Sequence, residues 1–291
     1  MRHGRLHRPD VVNRMRVLRL PGLLLAAVAF AAWPAHGLAQ GATPAKPEMT
    51  RACPGLVAGQ PPFRSLVRRV ALKPDEVRLT FIGHATFLIE SPQLVRIATD
   101  YNDYVRPPVL PDIVTMNHAH TSHYTDHPDP AIKYVLRGWA QDPKNPKPID
   151  LTYKDVRVRN VFTNIRTWSG DTEFYGNSIF VFEIADLCIA HLGHLHHTLT
   201  QQQLNEIGKV DAVLVPVDGN YTLDFDGMIE VLHALKAPLM IPMHYFGSAT
   251  LDRFLARIGK EWPVEMREEP SLVVSKATIP VTPKVVVLPG H

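Results

Sequence analysis

Eight of the fifteen histidines in this 291-residue chain fall in two short windows, His118-Ala-His120-Thr-Ser-His123-Tyr-Thr-Asp-His127 and His191-Leu-Gly-His194-Leu-His196-His197. A third site, Pro242-Met-His244-Tyr245, follows downstream. Each comes just after a short apolar run, so the fold has to gather several strand ends in one place. Imidazole is the commonest protein ligand for zinc and also suits copper, iron and nickel. His118 and His120, two apart at a strand end, point the same way, as two ligands of one ion must. The pattern predicts a metal centre and, with it, a metal-dependent hydrolase.

The N-terminal segment stands apart from this. Arg2, Arg5, Arg8, Arg14, Arg16 and Arg19 form a basic leader, residues 20–32 are almost continuously apolar, and small residues lead to Gly37-Leu-Ala39. That is the order of a secretory signal, with cleavage expected before Gln40 and the mature protein periplasmic or secreted. An uncleaved anchor is the alternative, but the apolar run is short for a membrane span, and none is expected after cleavage. Met15 would open a tidier signal than Met1. Removing residues 1–39 takes away six Arg and one Asp, moving the net charge from +3 to −2. The mature chain then lacks the basic excess of a nucleic-acid binder, which leaves a small-molecule substrate as the expected partner. The expected organisation is a signal peptide over 1–39, an irregular Pro/Gly/Ala-rich segment over 40–73, and one domain over 74–291. Export would permit a Cys53–Cys188 disulfide. Cys53 lies in coil, however, and Cys188 in an apolar run, so a buried free thiol is expected at Cys188. Strand alternation also places Cys188 on the face opposite His191, against a ligand role.

Strand signals occupy 77–82, 85–90, 94–99, 113–116, 132–136, 156–161, 178–184 and 187–190. Thr200-Gln-Gln-Gln203 then has the form of a capping box opening a helix to 207, with Gly208 as its stop. A buried strand over 210–217 precedes a helix capped by Asp224 or Asp226 and running to 235. A strand over 239–242 and a helix over 250–258 complete the alternation. The class is mixed α/β, a layered sheet sandwich covered by helices with ligands on strand-end loops.

Six segments, in order, extend this reading: Phe81-Ile-Gly-His84-Ala-Thr-Phe-Leu-Ile-Glu90, Ile97-Ala-Thr-Asp100, Pro111-Asp-Ile-Val-Thr-Met-Asn-His118-Ala-His120-Thr-Ser-His123, Ile189-Ala-His191-Leu-Gly-His194-Leu, Val213-Leu-Val-Pro-Val217 and Ile241-Pro-Met-His244-Tyr245. As an ordered set covering roughly 77–254 they resemble the metallo-β-lactamase superfamily, in particular the bacterial branch with ascorbate-6-phosphate lactonase-like proteins. The resemblance implies a four-layer αββα sandwich with a metal site at one edge of the two sheets. It implies a first metal held at His118, His120 and His191. A second would use an Asp at the Ser122 position with His123 and His244, and a bridging Asp at the His194 position. Ser122 and His194 therefore stand where the family has carboxylates. Two divalent ions among six neutral imidazoles would keep their +4 charge, offset only by hydroxide or a substrate anion. The expectation is a strong first site and a weakened, altered or absent second one. Zinc is the expected cofactor, as one or two ions, with iron, copper and manganese as alternatives. Asp100 is expected to support a ligand histidine. Asp126 and Asp218 are further nearby acids, Asp126 being either a ligand or a turn residue.

The other histidines carry plainer readings: His84 a turn or pocket wall, His127 loop surface, His233 a helix position with no functional claim. At least one of His196 and His197 is expected to be exposed or a hydrogen-bonding support. For the six candidate ligands the competing reading is a hydrogen-bonded core histidine. The leading function is a zinc-type hydrolase in which a metal-bound hydroxide attacks a lactone, amide or phosphoester. Tyr221 and Tyr245 are its candidate oxyanion donors, with packing as the alternative for each. A non-hydrolytic or degenerate metal-binding protein is a second reading. An iron or copper redox protein is a third.

Overall fold

The computed structural model describes residues 71–290. The expected signal segment, Cys53, and the irregular segment before residue 71 lie outside the described residues. Within them, period-two alternation of apolar side chains builds two sheets. The first contains β1 (Val77–Gly83), β2 (Thr86–Glu90), β3 (Arg96–Ala98), β4 (Ile113–Met116), β5 (Tyr134–Arg137) and β13 (Ser271–Val274), in the order β13-β1-β2-β3-β4-β5. The second contains β6 (Asp150–Tyr153), β7 (Val156–Arg166), β8 (Thr172–Ile184), β9 (Leu187–His191), β10 (Ala212–Pro216), β11 (Leu239–Met243), β12 (Val264–Met266) and β14 (Lys284–Val287). Their order is β12-β14-β11-β10-β9-β8-β7-β6.

The alternation decides which side chains meet. Phe180 and Phe182 of β8, with Leu187 and Ile189 of β9, pack between the sheets against Val77, Leu79, Phe81, Phe87 and Ile89. Their neighbours Ile179 and Val181 point the other way, joining Val213 and Val215 beneath the helices. β10 is buried on both faces, as a central parallel strand covered on each side should be. The helices α1 (Gln201–Ile207), α2 (Phe225–Leu235) and α3 (Ser248–Ile258) lie in the second half of the chain. They cover this outer face through Ile207, Val231, Leu232, Phe254 and Ile258. On the outer face of the first sheet, Ala98, Val114 and Met116 are covered by Tyr101, Tyr124, Ile132 and Trp139, from the segments flanking β4. The mixed α/β sandwich expected from the sequence is thus the architecture.

Local signals also act as expected. The Thr200 hydroxyl accepts from the Gln203 N–H at 3.2 Å, and the Gln203 side chain returns to the Thr200 N–H at 3.0 Å. Asp224, rather than Asp226, caps α2 by accepting from Gly227 N–H at 2.8 Å. Four strands escape the sequence reading: β6, β12, β13 and β14. The first three are edge strands of three or four residues with little buried alternation to reveal them. Cys188, expected as buried, is half-buried and is a free thiol among the described residues. No helix among the described residues is long and apolar enough to cross a membrane.

One feature of the topology positions chemistry. β9, β10, β11, β14 and β12 run parallel, so β9, β10 and β11 discharge their loops at the same edge. That carboxyl edge is where open parallel sheets place their ligands. Phe182→Ala should lower unfolding free energy by about 3–5 kcal/mol, through lost transfer energy and a cavity between the sheets. Thr200→Ala should cost about 1 kcal/mol by removing one cap. Urea midpoints at unchanged slope would check both.

Candidate metal centre

Two buried histidines define the centre. His123 lies in the turn beyond β4, and its Nδ1–H donates to Asp100 Oδ2 at 2.6 Å. The other Asp100 oxygen accepts from the Asn117 amide at 2.8 Å. His244, immediately after β11, donates its Nδ1–H to Asp218 Oδ2 at 2.9 Å. Asp218 follows β10 and accepts in addition from the backbone N–H groups of Asn220 and Thr222 at 2.9 and 3.1 Å. It also accepts from the Tyr221 N–H and the Thr222 hydroxyl at 2.5 and 2.6 Å. Burial alone would raise the Asp218 pKa. The hydrogen bond and charge of His244, with the Thr222 and backbone donors, outweigh it and hold Asp218 well below the usual carboxylate range.

With their protons on Nδ1, both histidines present an Nε2 lone pair, and these two nitrogens are 3.1 Å apart. Facing lone pairs repel unless a proton or a cation lies between them. Two zinc–nitrogen bonds of about 2.05 Å place cis ligand nitrogens roughly 2.9–3.3 Å apart, for right-angled to tetrahedral geometry. The donors therefore fit a divalent transition ion, and the carboxylates behind them fix the tautomer a metal requires.

Three more imidazoles surround this pair. A ring nitrogen of His84 lies within 4.8 Å of the facing nitrogens of His123 and His244. His84 sits in the β1–β2 turn at φ 51, after Gly83 at φ 146, with its ring centroid 4.2 Å from that of His244. Its carbonyl accepts the His244 N–H at 2.6 Å, and its Nε2 is 3.2 Å from the Ser122 hydroxyl, so it ties loops of the two sheets together. The His194 ring lies 4.8 Å from His120, 4.9 Å from His123 and 4.8 Å from His244, edge-on to each. Gly193 sets this placement. It adopts φ 60, and a Cβ there would come within 2.5 Å of the Asn117 amide and 2.6 Å of Asn177 Oδ1.

Of the six histidines expected as ligands, the structure gathers His120, His123, His194 and His244, and it adds His84. His118 is exposed, stacked on Trp139 at 5.1 Å with its Nδ1 2.8 Å from Glu173 Oε1. The strand ends at Met116, so the same-side relation of residues two apart has lapsed before His118 and His120. His191 is buried, but both its nitrogens are committed. Nε2 donates to Ala85 O at 2.8 Å, and Nδ1 accepts from Gly193 N–H at 3.1 Å. Still in β9, it shares a face with Leu187 and Ile189 and so turns into the inter-sheet core. Tyr245 takes the packing alternative. Its ring packs on Phe81 and its hydroxyl points to Leu288 O at 3.5 Å. Tyr221 sits 43% exposed on the wall of a cavity of about 410 Å³ beside His120 and His196. Asp126 is exposed. His197 is a support, accepting from Asn164 N–H at 3.1 Å and donating to Thr198 O at 2.8 Å. Sequence reasoning undervalued His84, whose one signal was the strained Gly-His turn between two apolar strands.

A family model described as the beta-lactamase superfamily domain matches residues 78–244, a span that runs from β1 to His244 and holds the whole cluster. The chain belongs to the metallo-β-lactamase superfamily. It is similar to a UPF0173 metal-dependent hydrolase of Thermoplasma acidophilum, 25% identical over 192 residues, covering 59% of this chain and 84% of the relative. A UPF0173 metal-dependent hydrolase of Carboxydothermus hydrogenoformans is 26% identical over 191 residues, covering 58% and 84%. Among solved structures, a proposed Zn-dependent hydrolase of the superfamily from Thermotoga maritima aligns with a TM-score of 0.55 and 30% identity. That alignment covers 73% of this chain and 98% of the Thermotoga chain.

In this superfamily member the carboxylates bonded to the cluster lie behind the imidazoles. Asp100 and Asp218 stand behind His123 and His244. Burial, then the neighbouring imidazoles, lowers the pKa of His123 and His194 far below the usual histidine range and lowers that of His120 too. Burial first, then His244, brings His84 down to about 3. Burial, followed by Arg166, brings His196 to about 4. Burial pushes Asp100 up to about 6, against the lowering influence of His191, the Asn117 hydrogen bond and His244.

These shifts predict how the metal-free protein responds to acid. As pH falls below 6.5, the unfolded chain protonates these five histidines while the folded chain resists doing so. Stability therefore rises with pH through that window and is lost on acidification. Asp100 acts oppositely, keeping a proton in the folded state between 3.8 and about 6, one group against five. Urea midpoints measured in chelator should fall between pH 7.5 and 5. A flat profile would mean that the rings are not held neutral.

Proposed function

We propose that the protein is a metal-dependent hydrolase with zinc as its resident ion, held by His123 and His244 with His84 as third ligand. The observation that carries this reading is the pair of Nε2 atoms 3.1 Å apart, each backed by a carboxylate on its far side. The similarity to proteins named metal-dependent hydrolases supports it. Zinc supplies an activated water at neutral pH and polarises the bond under attack. Asp100 and Asp218 keep the two imidazoles in register and raise their basicity. Ser122, bonded to His84, steadies that ring instead of adding negative charge.

Substrate would enter through the cavity of about 410 Å³, where Trp168 and Tyr221 offer flat apolar walls and Arg166 a cation. Its size suits a small molecule, with lactones, amides and phosphoesters as the classes to try. The basic, apolar and small-residue order of residues 1–39 supports export, which would place the reaction in the periplasm or outside the cell. One observation favours a second reading, metal binding without hydrolysis: among the described residues the candidate ligand group is three histidines with no carboxylate.

Metal analysis of the purified protein, followed by a substrate screen, tests the proposal. His123→Ala and His244→Ala should each abolish stable zinc retention. Asp218→Asn should weaken zinc by about 10–100-fold by releasing the His244 tautomer, and His118→Ala should leave zinc affinity within about threefold, since its ring lies outside the cluster. Zinc retention without turnover of any lactone, amide or phosphoester would favour the second reading. Failure to retain any transition ion would end both.

A further inference from the structure

The proton positions around His194 are fixed by its neighbours, and they oppose a ligand role. The Arg166 backbone N–H donates to His196 Nδ1 at 2.9 Å. His196 Nδ1 is therefore an acceptor, and a neutral His196 carries its proton on Nε2. That Nε2 makes a short hydrogen bond to His194 Nδ1. His194 Nδ1 is then the acceptor, and the His194 proton must reside on Nε2. His194 is fully buried, and its Nε2 has no hydrogen-bond partner among the described residues. A buried N–H without an acceptor is costly, and such groups usually await a water, ion or ligand. To ligate through Nε2, His194 would need its proton on Nδ1. His196 would then have to accept at both nitrogens, which only an imidazolate can do.

We propose that His194 is a hydrogen-bond donor to an anionic oxygen of the substrate, and not a metal ligand. His196 and the Arg166 backbone are positioning groups that hold it in the donating tautomer. The inference rests on the metal-dependent reading above and assigns the ligand chemistry beside that metal. The ring packs against the two proposed ligands, 4.9 Å from His123 and 4.8 Å from His244. His120 and His196, whose rings pack against His194 at 4.8 and 4.6 Å, line the cavity of about 410 Å³, and the Arg166 side chain, bonded to Asn220 O at 3.2 Å, adds positive charge to the same wall. Donor geometry of this kind stabilises negative charge developing on a carbonyl or phosphoryl oxygen without reorganising during reaction.

Three measurements on the full-length protein separate the possibilities. Long-range ¹H–¹⁵N correlation spectra of the metal-free protein should show His194 protonated at Nε2, and they should still do so after zinc addition, while His123 and His244 shift. Zinc affinity of His194→Ala and His194→Gln should stay within about threefold of the unsubstituted protein, whereas His244→Ala should lose more than about 100-fold. Inorganic phosphate, titrated into zinc-loaded protein, should bind about tenfold more weakly to His194→Ala, and His194→Gln should recover part of the loss through its amide donor. Thermal melting would confirm that each variant is folded. An Nδ1-protonated His194, or zinc loss in both His194 variants equal to that of His244→Ala, would overturn the proposal. If the unsubstituted protein takes up no zinc, the metal reading fails separately. The tautomer spectrum and phosphate binding by the metal-free protein then decide the His194 assignment.

Discussion

The parallel hydrogen-bond ladder joining β9, β10 and β11 is the constraint on which the site depends. Its register pairs His191 with Leu214 and Leu214 with Ile241, so the three strands end almost level. His194, Asp218 and His244 then emerge within a few residues of a common edge. The first sheet meets that edge with the β1–β2 turn and the loop after β4. The backbone bond from His244 N–H to His84 O links the two contributions. A slip of β11 by one residue would turn its side chains to the opposite face of the sheet and carry His244 away from Asp218, while both sheets remained.

Electrostatics then refines what topology gathers. Burial disfavours the charged forms of His84, His120, His123 and His194. The negative charge bonded to the cluster lies behind the rings, on Asp100 and Asp218. Each holds one imidazole proton on the far side of its ring, leaving a lone pair for the interior. The proposed donor His194 packs beside these rings, 4.9 Å from His123 and 4.8 Å from His244.

Much of the architecture was legible in the chain. Strands such as Ile113–Met116 and Leu187–His191 carry dense apolar residues, and the Thr200-Gln203 capping box and the Asp224 cap are local signals that act over one helical turn. The short edge strands were not, because their pairing comes from partners far along the chain and little alternation marks them. Within the site, His123 and His244 and the supporting place of Asp100 could be read from strand ends and the resemblance. The exposed position of His118, stacked on Trp139, could not be read that way. The strand ends at Met116, two residues before His118, a change that residue spacing does not record. His84 was read as a turn or pocket-wall residue, and that turn brings its ring to 4.2 Å from His244.

The sequence by itself determined the composition of the problem: many imidazoles at strand ends, carboxylates missing at two ligand positions, and an α/β sandwich able to bring those ends together. Those are consequences of local periodicity and residue chemistry. Tertiary structure alone decided which nitrogens remain free. His191 lost both of its own to Ala85 O and Gly193 N–H, while His123 and His244 kept one each because Asp100 and Asp218 took the other. His194 had its proton assigned through His196 by a backbone N–H from another strand. A histidine offers two nitrogens with opposite roles. Only the groups across the fold, at hydrogen-bonding distance, determine which one faces the site.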